Sequence, residues 1–235
     1  MDPSQYALVH GLRRTRGALL EWRDHPWPVL RAWVLGSVAA AALLLLAVWL
    51  IAVVSFPRPH VRFPPGPPLF VGDRLDVARI FGHNMLVLAL HAMACVAGFI
   101  AGSSLPLQAE QHSGWVRVIH ERGRPFAMAF VIGATTFSLS LQAYVLGTSV
   151  AAVATALPTS PGLLLLGLLP HALPELVALF LPLAAWIVAS RRGEWDTLLA
   201  ATFVTVALAI PILVMTAVWE VYIAPRLLAP LLGYG

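Results

Sequence analysis

A chain of 235 residues that is 59% hydrophobic and 11% charged, with a mean hydropathy of +0.82, cannot keep a folded surface in water, since soluble domains carry roughly a quarter charged residues. This excludes a soluble enzyme and identifies an integral membrane protein. The net charge of +4 does not require a nucleic-acid partner, because all 15 basic residues are arginines placed mostly between apolar runs, where they set topology.

Residues 1–28 mix Tyr6, Val9, Leu12, Leu19, Leu20 and Trp22 with Arg13, Arg14, Arg16 and Arg23. This pattern predicts a cytoplasmic helix lying in the headgroup layer, its arginines reaching lipid phosphates. His25-Pro26-Trp27-Pro28 predicts a bend after it. The first apolar run starts behind Arg31 and continues too long for a cleaved leader. It is read as a retained span over 32–55, long enough to cross roughly 30 Å of hydrocarbon. Residues 29–235 are read as one transmembrane domain.

A proline-rich loop over 56–68 separates this span from a second over 77–101, which carries His83, Asn84, His91 and Cys95. Asn84 and His91 lie two turns apart on one helix face. Cys95 has no second cysteine to pair with and is read as packing. Residues 102–124 are predicted as a polar loop holding Arg117, Arg122 and Arg124. The third stretch, 126–157, exceeds one perpendicular crossing. Its Thr135, Thr136, Ser138, Ser140 and Gln142 predict contact with other helices rather than lipid.

The fourth stretch, 162–190, reads Pro170-His171-Ala172-Leu173-Pro174-Glu175 at its centre. Ionisable residues inside a span are costly and default to a functional reading. The two prolines predict a broken helix, of the kind that builds sites at mid-membrane. A fifth span over 197–223 contains Pro211 and Glu220. The fold expected is an all-α polytopic bundle of about five spans behind an N-terminal interfacial helix. With five spans, Arg13, Arg14, Arg16, Arg23, Arg31, Arg117, Arg122, Arg124, Arg191 and Arg192 fall on one side. The opposite side holds Arg58, Arg62, Arg74, Arg79 and Arg226, an asymmetry of about two to one that places the N-terminus in the cytoplasm. A hairpin in the fourth stretch would instead give six spans and return the C-terminus inside.

His171 and Glu175 are four apart and share a helix face, a spacing suited to a metal, a proton-carrying pair or a hydrogen-bonded tie between helices. Glu220 reads either as an interfacial carboxylate beside aromatic residues or as a partner for His91, Arg79 or Arg226. Asn84 and Gln142 are expected to donate across helix contacts. The chain has no Walker A sequence, no G-x-S-x-G and no Cys-x-x-Cys. No cofactor and no metal is expected.

Pro170-His171-Ala172-Leu173-Pro174-Glu175, followed by Glu220-Val221-Tyr222-Ile223-Ala224-Pro225, resembles the stage II sporulation protein M family of bacterial membrane proteins. The family pairs a PHG-x-x-E element with a late E-x-x-x-x-P element. Its Asn at the opening of an earlier span resembles Asn84 in Phe81-Gly82-His83-Asn84. The likeness covers roughly 77–228. The chain departs from the pattern at Ala172, where the family has glycine, and at Pro174. The resemblance implies a non-enzymatic subunit of the bacterial cytoplasmic membrane that scaffolds an envelope or peptidoglycan-remodelling complex with other membrane or envelope proteins. Two other classes stand beside it. One is an ABC-type permease served by a separate ATPase; the other is an intramembrane metalloenzyme in which a third ligand joins His171 and Glu175.

Overall fold

The computed structural model describes residues 3–56, 72–104 and 114–231. Among these residues every regular element is helical. Lipid offers no partner to a bare amide, so spanning segments must satisfy their backbone internally. Helix α1 (Pro3–Asp24) precedes α2 (Pro26–Ser55), and His25 marks the expected bend. Helix α3 (Arg74–Phe99) runs on into a π-helical turn, Ile100–Ser104. Helices α4 (Trp115–Ala156) and α5 (Pro161–Arg192) follow. A 3-10 turn (Trp195–Thr197) opens α6 (Leu198–Tyr222), and the short α7 (Ala224–Leu231) ends the described chain. Five of the helical segments are long and apolar enough to cross a membrane: Pro26–Ser55, Arg74–Ser103, Met128–Ala156, Pro161–Arg192 and Trp195–Tyr222. The chain is a multi-pass helical bundle. The proline-rich loop expected over 56–68 lies almost wholly outside the described residues.

Local chemistry sets the boundaries. Asp73 caps α3, its Oδ1 accepting from the amides of Leu75 (2.8 Å) and Asp76 (3.1 Å), while Asp76 Oδ2 accepts from the Asp73 amide (3.1 Å). This reciprocal box satisfies amides that a helix start leaves bare. Ser160 Oγ accepts from the Leu163 amide at 3.2 Å ahead of α5, and Pro161 supplies a first residue that needs no donor. Gly193, with φ of 72°, ends α5 in the left-handed conformation that glycine adopts without strain.

Two expectations change. Arg117, Arg122 and Arg124 belong to α4, which begins well before the predicted third span, so 115–124 is helix rather than loop. More consequential, α5 is unbroken through Pro170 and Pro174. Ending a helix in hydrocarbon would strand several amides and carbonyls, whereas continuing through a proline loses a single bond. Pro170 and Pro174 are exposed, so their rings point away from the packed side of α5 and crowd no neighbour. Pro125 and Pro211 are carried inside α4 and α6 in the same way. The fourth stretch is therefore one helix, and the hairpin with six spans does not occur.

The chain divides into two compact units. The first comprises Met1–Ser37, Val87–Thr135 and Leu179–Ala209. Its core joins Trp33, Leu181, Ala185 and Ala201, with Trp22, Val29 and Leu30 packed against them. Trp22 meets Trp33 edge-on at 5.2 Å, which fastens α1 to the start of α2. Ser103 donates to Asp196, joining the π-helical turn to the 3-10 turn.

The second unit comprises Val38–Leu86, Thr136–Ala178 and Ile210–Gly235. Ala154, Leu157 and Leu164 form one of its cores. Here α2 and α4 approach closely. Ala143, Gly147 and Ala151 recur every fourth residue on the buried side of α4. A Cβ at Gly147 would stand 2.7 Å from Ile51 and 3.0 Å from the Val48 carbonyl. Small residues at this spacing let backbones pack where lipid provides no hydrophobic drive. Gly147→Val is expected to cost about 1–3 kcal/mol, the usual range for overpacking. The SDS unfolding midpoint of the purified protein measures it, and an unchanged midpoint would rule out so close an approach.

Candidate functional site

Three spans of the second unit bring polar side chains together. Helix α3 carries Asn84 on its buried face, in the series Asn84, Leu88, His91 and Cys95. Helix α5 carries His171 and, one turn on, Glu175. Helix α6 carries Thr216 and, one turn on, Glu220. Asn84, His171 and Thr216 are each only 5% exposed, and Glu175 and Glu220 are half-buried. The Glu175 carboxyl has the Asn84 and Thr216 side chains within reach and the Glu220 carboxylate within electrostatic range.

The cluster is incompletely bonded. Asn84 Nδ2, His171 Nδ1 and Glu175 Oε2 are buried without a well-aligned hydrogen-bond partner. Asn84 therefore reaches Glu175 without closing an aligned bond through its nitrogen. The Thr216 hydroxyl donates to the Leu213 carbonyl at 3.2 Å, so toward the cluster its oxygen is an acceptor. His171 and Glu175 share a face but form no ion pair. Among the described residues the ion pairs are Arg23–Asp24 and Arg79–Asp76, both at exposed positions.

Several expected partnerships resolve differently. Glu220 faces Glu175 rather than Arg79, which pairs with Asp76 at 3.4 Å. His91 belongs to the first unit, where its ring stands edge-on to Phe180 at 5.4 Å and an interplanar angle of 82°. Cys95, by contrast, has the packing role expected of it: it is fully buried and donates its thiol to the Pro182 carbonyl at 3.1 Å. Gln142 donates to Ser138 within α4 at 3.1 Å, not across a helix contact.

Thr216 is the member that sequence reading missed. Its signal was its position four residues before Glu220, which puts both on one face of α6. Chemically, the cluster can tie three spans through polar contacts. A metalloenzyme would need a third ligand beside His171 and Glu175. Among the described residues, no three His, Cys, Asp or Glu side chains are placed to hold a metal ion. Comparisons with protein-family models, curated proteins and solved structures found no match.

Proposed function

We propose that the chain is a non-enzymatic integral membrane subunit of the stage II sporulation protein M type. It would sit in a bacterial cytoplasmic membrane with its N-terminus in the cytoplasm, scaffolding an envelope complex through contacts within the bilayer. The observation that best supports a partner-binding subunit is the surface of α4. Only 11% of its most apolar window is buried within the chain, against 56% for α5. Yet the exposed part of α4 is not purely lipid-like. Gly133, Thr136 and Ser140 lie among Phe130, Phe137 and Tyr144 there. A Cβ at Gly133 would meet nothing within 4 Å, so another helix has open access to the backbone. Small and hydroxyl-bearing residues mark helix contacts in membranes more than they mark lipid faces.

The test is mild-detergent affinity purification from the native host, comparing wild type with Gly133→Ile. Wild type is expected to retain envelope or cell-wall proteins at fixed stoichiometry. Gly133→Ile is expected to lose most of them at unchanged yield and melting. Ser140→Cys, a thiol placed on the α4 face whereas the native Cys95 is buried, should cross-link to the same partner. An ATPase at fixed stoichiometry would overturn the scaffold in favour of a permease. Partner retention indifferent to Gly133→Ile would remove α4 as the interface.

A further inference from the structure

A cavity of the first unit lies where span ends meet α1. It measures about 530 Å³, inside the range of small-molecule sites, roughly 300–1,000 Å³. Its ionisable lining is Glu21, His25, Arg192 and Glu194. These four flank span boundaries: Glu21 and His25 precede the span that starts at Pro26, Arg192 ends the fourth span, and Glu194 immediately precedes the fifth. Its apolar lining, including Val29, Trp33, Ala185 and Ala201, lies inside those same spans. The cavity is thus polar at headgroup depth and apolar at acyl depth.

A second, largely apolar groove of about 190 Å³ shares Trp22, Val29 and Trp33 with it and continues along Leu19, Leu30 and Val204, with Arg23 the one charged residue in its lining. A soluble metabolite has no use for such an extension. A lipid does, with its head in the cavity and a chain along the groove. The charges narrow the head. Two carboxylates and one guanidinium line the cavity, a set complementary to a head that carries both an ammonium and a phosphate. Arg191 lies outside the lining, and Arg23, the guanidinium beside the adjoining groove, is paired with Asp24 at 3.2 Å, so the cavity itself offers no second guanidinium to a purely anionic head. Charge-assisted hydrogen bonds from an N–H donor to carboxylate, and from guanidinium to phosphate, are the strong kind.

We propose that this cavity holds the head of a bound phospholipid bearing a primary amine, the amine on Glu21 and Glu194, the phosphate on Arg192, and one acyl chain in the adjoining groove. A quaternary ammonium head would lack the N–H donors, and a glycerol head would lack the cation.

Delipidated full-length protein, incubated with equal amounts of dioleoyl phosphatidylethanolamine, phosphatidylcholine and phosphatidylglycerol, tests this by native mass spectrometry. The ethanolamine lipid is expected to be retained about tenfold over both others, the ratio that one strong charge-assisted contact supplies. Glu21→Gln/Glu194→Gln should lose about that factor; Arg192→Gln, whose phosphate contact all three lipids share, should lower the retention of each about tenfold with their ratio kept, while Arg191→Gln changes neither. Equal retention of the three lipids by wild type overturns the proposal. Binding of chain-free glycerophosphoethanolamine as tight as that of the lipid overturns it too, by making the site one for a soluble phosphate–amine. The wild-type comparison is decisive whether or not every variant can be purified.

Discussion

Phe180→Ala should destabilise the bundle by about 2 kcal/mol, read as a lower SDS unfolding midpoint and a lower melting temperature in detergent. Phe180 is fully buried, and its ring receives the edge of His91 at 5.4 Å. In a soluble core the truncation would cost both a transfer term and a cavity term. Lipid tails are as apolar as the protein interior, so the transfer term largely falls away. The cavity term remains. A void of about 100 Å³ at about 24 cal/mol per Å³ gives the figure above. His91 also loses its ring contact, while its Nδ1 is already without an aligned partner. Phe180→Leu, which leaves a smaller void, should recover more than half of the loss. A Phe180→Ala protein as stable as wild type would mean that α3 and α5 are not packed through this residue.

Sequence reading succeeded where one physical rule governs and failed where two compete. The spans were legible because lipid thickness imposes a run length, and the bend at His25 because Pro26 and Pro28 flank Trp27. Burial of Asn84, His91 and His171 was legible because a polar group in an apolar run has few places to go. The break at Pro170 and Pro174 was not. Proline's aqueous tendency to end a helix opposed the cost of baring backbone in hydrocarbon, and the second effect is larger. The partnership of Glu220 was also hidden. Helix periodicity gives the face of α6 that carries it but not which helix that face meets. Arg79 looked available until the capping of α3 placed Asp76 one turn before it. The close approach at Gly147 had a sequence signal, small residues at 143, 147 and 151, that goes unnoticed beside the more conspicuous hydroxyls at 135–140.

Glu175→Ala should lower stability and Glu220→Gln should not, and this separates a structural tie from a pair of incidental carboxyls. Glu175 is the hub of the cluster: Asn84 of α3 and Thr216 of α6 both reach toward it. Removing its carboxyl leaves the buried Asn84 amide facing an alanine, whereas Thr216 keeps its bond to the Leu213 carbonyl. An abandoned buried polar group costs about 1–3 kcal/mol. Membrane abundance and the SDS unfolding midpoint should both fall, and His171→Ala, one turn away on the same helix, should lower them too. Glu175→Gln keeps an acceptor and should retain most of the stability. Glu220 contributes differently, because the group it acts on in the cluster is another carboxyl. Two carboxyls in a weakly screened setting cannot both ionise without repulsion, so Glu220→Gln, which removes one of them, should leave the midpoint unchanged or raise it. A Glu175–Asn84 double-mutant cycle gives the sharpest reading, since interhelical polar contacts in membranes couple by about 0.6 kcal/mol on average and rarely above 1.7. Coupling within that range, together with the different response of Glu220, would assign the cluster to holding α3, α5 and α6 in register. If Glu175→Ala and Glu220→Gln instead lowered the midpoint equally, the two carboxyls would be acting as one unit, and the tie through Asn84 would be the wrong description.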